Sequence, residues 1–103
     1  MSGEPSFIIG QLIEHKRFSY RGVIFDIDSC FMLSEDWYNE VAKSRPPRDE
    51  PWYHVLVDNG IHSTYVAEQN LKSSTVFEQI SHPLLGQYFK EFIDGRYLIH
   101  KMH

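Results

Sequence analysis

Residues 51–58 read PWYHVLVD, and this stretch decides the fold of the chain. Because side chains alternate along a β-strand, its even-numbered residues are expected on one face and its odd-numbered residues on the other. Asp58-Asn59-Gly60 follows as a strong turn signal, since Asn and Gly tolerate positive φ. A second strand over residues 63–68 then completes a predicted β-hairpin.

Two further strands are predicted upstream of this hairpin, over residues 7–15 and 20–27. Gly10 interrupts the first of them and indicates a bulge or a close approach of another backbone segment. In the second strand, regular alternation places Ile24 and Ile27 on opposite faces.

The segment between the second and third strands, residues 30–50, is a long insertion with a change of period. Ser34 can cap a helix, and apolar residues recur after it at helical spacing. Pro46-Pro47 then stops that helix. Insertions of this length often carry function.

A second helix is predicted near the C-terminus. Ser81-His82-Pro83 offers a capping serine and an early proline, both typical of a helix start. Gly95 ends the helix, and residues 96–100 form a last short strand. The apolar stripe of this helix comprises Leu84, Leu85, Tyr88, Phe89 and Phe92.

Together these elements predict a mainly β fold, a small SH3-like antiparallel barrel with a helical insertion and one C-terminal packing helix. We expect residues 1–6 to form a flexible tail and residues 7–103 to form a single domain. A chain of 103 residues with 42% hydrophobic residues can build one compact core.

Composition narrows the functional classes. The formal net charge is −4, whereas DNA-binding modules are usually basic, so strong generic DNA binding is not expected. One cysteine, Cys30, excludes an intrachain disulfide. No apolar run approaches the ~20 residues that span a bilayer, and residues 1–5 do not resemble a secretory signal. We therefore expect a cytoplasmic protein with no membrane partner.

Catalytic and metal motifs are weak in this sequence. The six histidines show no pair at a metal-ligand spacing, and there is no C-x-x-C motif. Asp26 and Asp28 share one face of a strand and could bind a cation, but a solvated strand end explains them as well. No nucleophile has an identifiable activating partner. We expect no enzymatic activity, no cofactor and no metal site.

Aromatic and basic side chains offer better candidates for binding. Aromatic residues on a barrel face form platforms for peptides or nucleic acids, although they also build cores. Two basic clusters accompany them, residues 15–21 and residues 43–48, and solvated surface is the alternative for both. The candidate binding residues, for a protein partner or DNA, are His15, Arg17, Tyr20, Arg21, Trp37, Trp52, His54 and Tyr65.

Several motifs resemble the YccV-like family, which includes the heat-shock protein HspQ and is also described as hemimethylated-DNA-binding. The likeness rests on Ile9-Gly10-Gln11, His15, residues 20–24, the strand 51–58 and residues 65–71. It implies an SH3-like barrel without enzymatic activity. It further implies a stress-related specificity adaptor that delivers protein clients to the Lon protease, or a hemimethylated-DNA-binding regulator of replication initiation.

The C-terminal part, from His82-Pro83 to Tyr97, also resembles the domain at the C-terminus of certain F-box proteins. That likeness implies a partner-recognition module in protein turnover. The leading hypothesis is therefore a protease adaptor that also binds hemimethylated DNA. The alternatives are a DNA-binding regulator, an F-box-like recognition module, or an enzyme or metal protein. Self-association would give so small an adaptor its second surface.

Overall fold

The computed structural model describes residues 4–100, so residues 1–3 of the predicted tail lie outside the described part. Within that range the chain forms seven strands, two α-helices and one 3-10 helix. In chain order they are β1 (Leu12–His15), β2 (Arg21–Asp28), α1 (Glu35–Val41), β3 (Trp52–Val57), β4 (Ser63–Ala67), the 3-10 helix (Glu68–Asn70), β5 (Leu71–Ser73), α2 (Leu85–Tyr88), β6 (Phe89–Ile93) and β7 (Arg96–Ile99).

Five strands form one antiparallel sheet in the order β4-β3-β2-β1-β5, and β6 pairs with β7 in a separate hairpin. The prediction of a mainly β fold is confirmed. The sheet does not close into a barrel, because within residues 4–100 the outer strands β4 and β5 each pair with one neighbour. The strand β4 therefore keeps one open edge.

The hairpin predicted from residues 51–58 is present. Its register runs from Trp52 opposite Ala67 to Leu56 opposite Ser63. The turn closes with the Gly60 N–H donating to the Val57 carbonyl at 3.1 Å, and Asn59 adopts the positive φ of 63° that the turn signal predicted.

The predicted alternation along β2 is wrong beyond Ile24. A β-bulge lies between Ile24 and Asp26, where the pairing with β3 shifts by one residue and leaves Phe25 without a partner. The extra residue reverses the faces that follow. Ile27 therefore packs on the same core cluster as Ile24, while Phe25 packs against the other side of the sheet.

The helix in the insertion begins as predicted, but it ends at Val41, well before Pro46-Pro47. The Ser34 hydroxyl accepts a hydrogen bond from the Trp37 N–H at 3.1 Å and caps α1. Tyr38 is buried, and its hydroxyl donates to the Pro46 carbonyl at 2.6 Å. These contacts fold the insertion back onto β3, where the buried Trp52 meets it.

The predicted C-terminal packing helix is wrong in most of its length. Only the four residues of α2 are helical, and Ser81 does not cap them. The aromatic residues that follow belong to β6, because Phe89 and Phe92 pack on Tyr97 of β7 across the hairpin. Asp94-Gly95, the predicted helix end, is the tight hairpin turn, with φ of 53° and 77°. The predicted last strand is observed as β7.

No helix in the described part of the chain is long and apolar enough to cross a membrane.

Candidate functional site

A groove of about 500 Å³ follows the open edge of β4, and we call it the edge groove. All five residues of β4 line it. Side chains of Thr64 and Tyr65 leave opposite faces of the strand, so a cavity that both of them line must run along the strand's edge. One wall is the insertion with Trp37, and the other is the turn between β1 and β2 with Arg17 and Phe18.

The structure brings seven of the eight sequence-predicted site residues to this one groove. They are His15, Arg17, Tyr20, Trp37, Trp52, His54 and Tyr65.

The eighth residue, Arg21, serves a structural contact instead. Its guanidinium donates hydrogen bonds to the carbonyls of Val76 at 3.1 Å and Glu78 at 2.6 Å. It also lies 3.5 Å from the Asp58 carboxylate, and both side chains are mostly buried. Arg21 therefore fastens the segment after β5 to the sheet, and its charge is already compensated.

Aromatic rings form the floor and one wall of the groove. Trp52 is buried, and its indole N–H donates to the Pro47 carbonyl at 3.0 Å. Tyr65 stacks on Trp52 at 5.1 Å between ring centroids, and Trp37 meets Tyr65 edge-on at 5.5 Å. Of the two readings open from sequence, Trp52 belongs to the core, whereas Trp37 and Tyr65 are only half-buried.

The Tyr65 hydroxyl ties the groove wall to β2 and to the insertion. It donates to Asp28 Oδ2 at 2.7 Å and accepts from the Met32 N–H at 3.1 Å. Burial and the hydrogen bond to the Asp28 carboxylate raise the pKa of Tyr65 well above its ordinary value. The hydroxyl thus stays protonated and remains a donor at any physiological pH.

Three groups next to this hydroxyl could hold a cation. The ligand atoms of Asp26, Asp28 and His54 lie within 4.8 Å of one another. His54 Nε2 is already 3.1 Å from Asp28 Oδ2, the oxygen that also accepts from Tyr65. The absence of a metal site stays a prediction from sequence.

The opposite wall of the groove is basic and exposed. Arg17 lies 5.9 Å from the ring centroid of Phe18, which is 70% exposed. Lys43 lines the groove from the side of the insertion, and among residues 4–100 none of those that line it is acidic. The groove lining therefore carries basic rather than acidic side chains in a chain of net charge −4, although the Asp28 carboxylate lies behind Tyr65 and His54. Within the second basic cluster, Lys43 lines the groove, whereas Arg48 donates to Glu35 at 2.8 Å.

Sequence reasoning missed Phe18 and Thr64. Phe18 had a usable signal, since an aromatic residue in a polar turn has little core to join. Thr64 had none, because its place in the groove depends on β4 being the outer strand of the sheet.

The turn that carries Phe18 depends on a neutral histidine. His15 is buried, and its Nδ1 accepts hydrogen bonds from the N–H groups of Arg17 and Phe18, each at 3.1 Å. Burial, and secondarily the charge of Arg17, lower the pKa of His15. Protonation would replace this acceptor by a donor that faces two donors.

We expect acid to weaken the fold through His15. Below the ordinary histidine pKa of about 6.5, His15 becomes protonated in the unfolded chain but stays neutral in the folded protein. The free energy of unfolding should therefore fall between pH 7.5 and 5.5, and level off below the folded-state pKa. Urea unfolding at both pH values should show a smaller fall for His15→Gln. The exposed control His62→Gln should keep the full fall, and an equal fall in both variants would contradict the assignment.

Comparison with known proteins places the chain in a family. Residues 5–96 match the family described as "Hemimethylated DNA-binding protein YccV like". The chain is also 34% identical over 94 residues to F-box only protein 21 of Homo sapiens, with the same identity to those of Pongo abelii and Mus musculus. The match covers 89% of this chain and 15% of each relative, so the chain spans only a small part of those proteins. This chain belongs to the YccV-like family.

Proposed function

We propose that this chain is a non-enzymatic recognition module that binds a protein partner in the edge groove. In the cell it would be a cytoplasmic, stress-related specificity adaptor that presents protein clients to the Lon protease. One observation carries the proposal: the open edge of β4 lies in a groove walled by the exposed ring of Phe18 and the half-buried rings of Trp37 and Tyr65.

The composition of the groove fits a protein partner. Phe18, Trp37 and Tyr65 present apolar surface beside polar groups, which is the chemistry enriched where proteins bind each other. The net charge of −4 opposes long contacts with phosphates, which supply most of the affinity for DNA. The resemblance of the C-terminal part to F-box proteins also favours recognition of a protein.

Hemimethylated DNA is the second candidate, and the family description favours it. Arg17 is the groove residue best suited to a phosphate, since Arg21 is held by its own chain. If DNA is the main partner, binding should be steeply salt-dependent. Arg17→Ala should then reduce the slope of log K against log salt by about one.

A pair of titrations on one sample tests the two candidates. Full-length Lon and a hemimethylated duplex are titrated separately into the purified chain at physiological salt. We expect binding to Lon, weaker and salt-sensitive binding to DNA, and faster degradation of a natural client of Lon when this chain is added.

Two matched variants locate the binding surface. Phe18 is 70% exposed and lines the edge groove, whereas Phe77 is 67% exposed and lies outside it. We expect Phe18→Ala to weaken binding to Lon by about tenfold or more, and Phe77→Ala by less than about twofold. Methyl-dependent DNA binding without affinity for Lon would make DNA recognition the main function. Equal effects of Phe18→Ala and Phe77→Ala would show that the partner does not bind in the edge groove.

A further inference from the structure

We propose that the occupant of the edge groove is an extended, acidic polypeptide segment that adds to β4 as a sixth strand of the sheet. The inference rests on the proposed function, because it specifies how the partner enters the same groove.

Hydrogen-bonding groups of β4 point into the groove. Antiparallel ladders alternate between bonded and non-bonded pairs, and the Glu68 N–H donates to the Pro51 carbonyl at 3.1 Å. Glu68 therefore directs its backbone groups toward β3, and because the pattern repeats every two residues, Val66 and Thr64 do the same. The N–H and C=O of Ser63 and Tyr65 therefore face the open edge, where an added strand would pair with them.

Both walls of the groove suit the side chains of an added strand. Side chains of a strand alternate, so the segment would present every second residue to each wall. On one side it meets Trp37 and Tyr65, and on the other Phe18 and Tyr20. The five residues of β4 extend over about 16 Å, which accommodates five residues of the segment.

Charge selects an acidic segment. Arg17 stands on one wall and Lys43 on the other, and no carboxylate of residues 4–100 lines the groove. The Asp28 carboxylate behind the wall already accepts a hydrogen bond from the Tyr65 hydroxyl. A segment with Asp or Glu would find a cation on either side of it, whereas a basic segment would meet like charge in a partly enclosed space.

Peptide selection tests the inference directly. A library of random 12-residue peptides is displayed on phage and selected against the full chain. We expect enriched sequences to be acidic and free of proline over the central residues, because proline lacks the N–H that pairs with β4. In the best peptide, N-methylation of successive amides should weaken binding about tenfold or more at every second position only.

Charge-reversal variants complete the test. Arg17→Glu and Lys43→Glu should each weaken the acidic peptide about tenfold, and Lys90→Glu on β6, which lies outside the groove, should leave its affinity within twofold. Amide exchange of Ser63 and Tyr65 should slow when the peptide binds.

Three results would overturn strand addition: an N-methyl scan without a period of two, enrichment of basic peptides, or no enrichment at all. A 12-nucleotide single-stranded DNA that displaces the best peptide and binds more tightly would also overturn it. The proposed function is tested separately, because the titration with Lon and the Phe18→Ala variant report on the groove whatever the conformation of its occupant.

Discussion

Gly10→Ala is expected to destabilise the fold by about 3 kcal/mol or more, and so to lower the melting temperature by roughly 12 °C or more. Gly10 has a φ of +92°, which a side chain strains. A Cβ placed there would lie 2.0 Å from the carbonyl oxygen of Tyr97. The approach cannot relax cheaply, since the Tyr97 N–H donates to the Gly10 carbonyl at 2.9 Å and the Gly10 N–H donates to Ile24 at 2.7 Å.

Gly86→Ala is the matched control. Gly86 lies in α2, and a Cβ at this position would meet no atom within 4 Å. Alanine is the better helix former, so this variant should be neutral or gain up to about 1 kcal/mol. Thermal unfolding of both variants beside the parent chain measures the difference. Equal melting temperatures for the two alanine variants would contradict the close contact between Gly10 and the backbone of Tyr97 in β7.

The elements that the sequence predicted correctly are those that depend on local signals. Alternation over residues 51–58, the turn at Asn59 and the cap at Ser34 are local signals, and all three elements form where they were predicted. Gly10 was predicted to mark a bulge or a close backbone approach. The second alternative is what forms, although the sequence could not tell that Tyr97 makes it.

Two of the differences between the predicted and the observed fold have clear physical causes. The bulge at Phe25 follows from pairing with β3, and β2 carries no local signal for it. Tyr88, Phe89 and Phe92 fit a helical stripe as well as a strand, because short apolar runs satisfy both periods. The hairpin forms instead of the helix because Asp94 and Gly95 adopt positive φ, which allows Phe92 to pack on Tyr97.

The structure brings most of the predicted site residues together, and their role in binding stays a prediction. Aromatic residues on neighbouring strands and basic residues in the adjoining turn were singled out separately, and topology then gathers them at the edge of β4. Arg21 differs because its partners come from residues 58 and 76–78, distant in the sequence. No local pattern distinguishes an arginine that meets phosphate from one that holds a loop.

Trp52→Ala should cost about 3–5 kcal/mol of folding free energy, the usual range for removing a buried tryptophan. Trp52 is 1% exposed, and Phe31 and Tyr65 pack against it with ring centroids 5.0 and 5.1 Å away. The substitution also removes the hydrogen bond that the indole N–H donates to the Pro47 carbonyl at 3.0 Å. Loss of the ring therefore releases the insertion from the sheet as well as opening a cavity.

A comparison with Trp37→Ala separates support from recognition. Trp37 is half-buried at the wall of the groove, so Trp37→Ala should lower the free energy of unfolding less than Trp52→Ala does. It should still weaken binding to Lon, even under conditions in which the variant is fully folded. In Trp52→Phe, which keeps a ring but not the indole N–H, amide exchange of Phe31 should quicken, since its N–H donates to Arg48 across the insertion at 2.8 Å. Urea unfolding and amide exchange measure both effects. A cost below about 1 kcal/mol for Trp52→Ala would mean that the insertion is held to the sheet by other contacts, and that the groove keeps its wall without this ring.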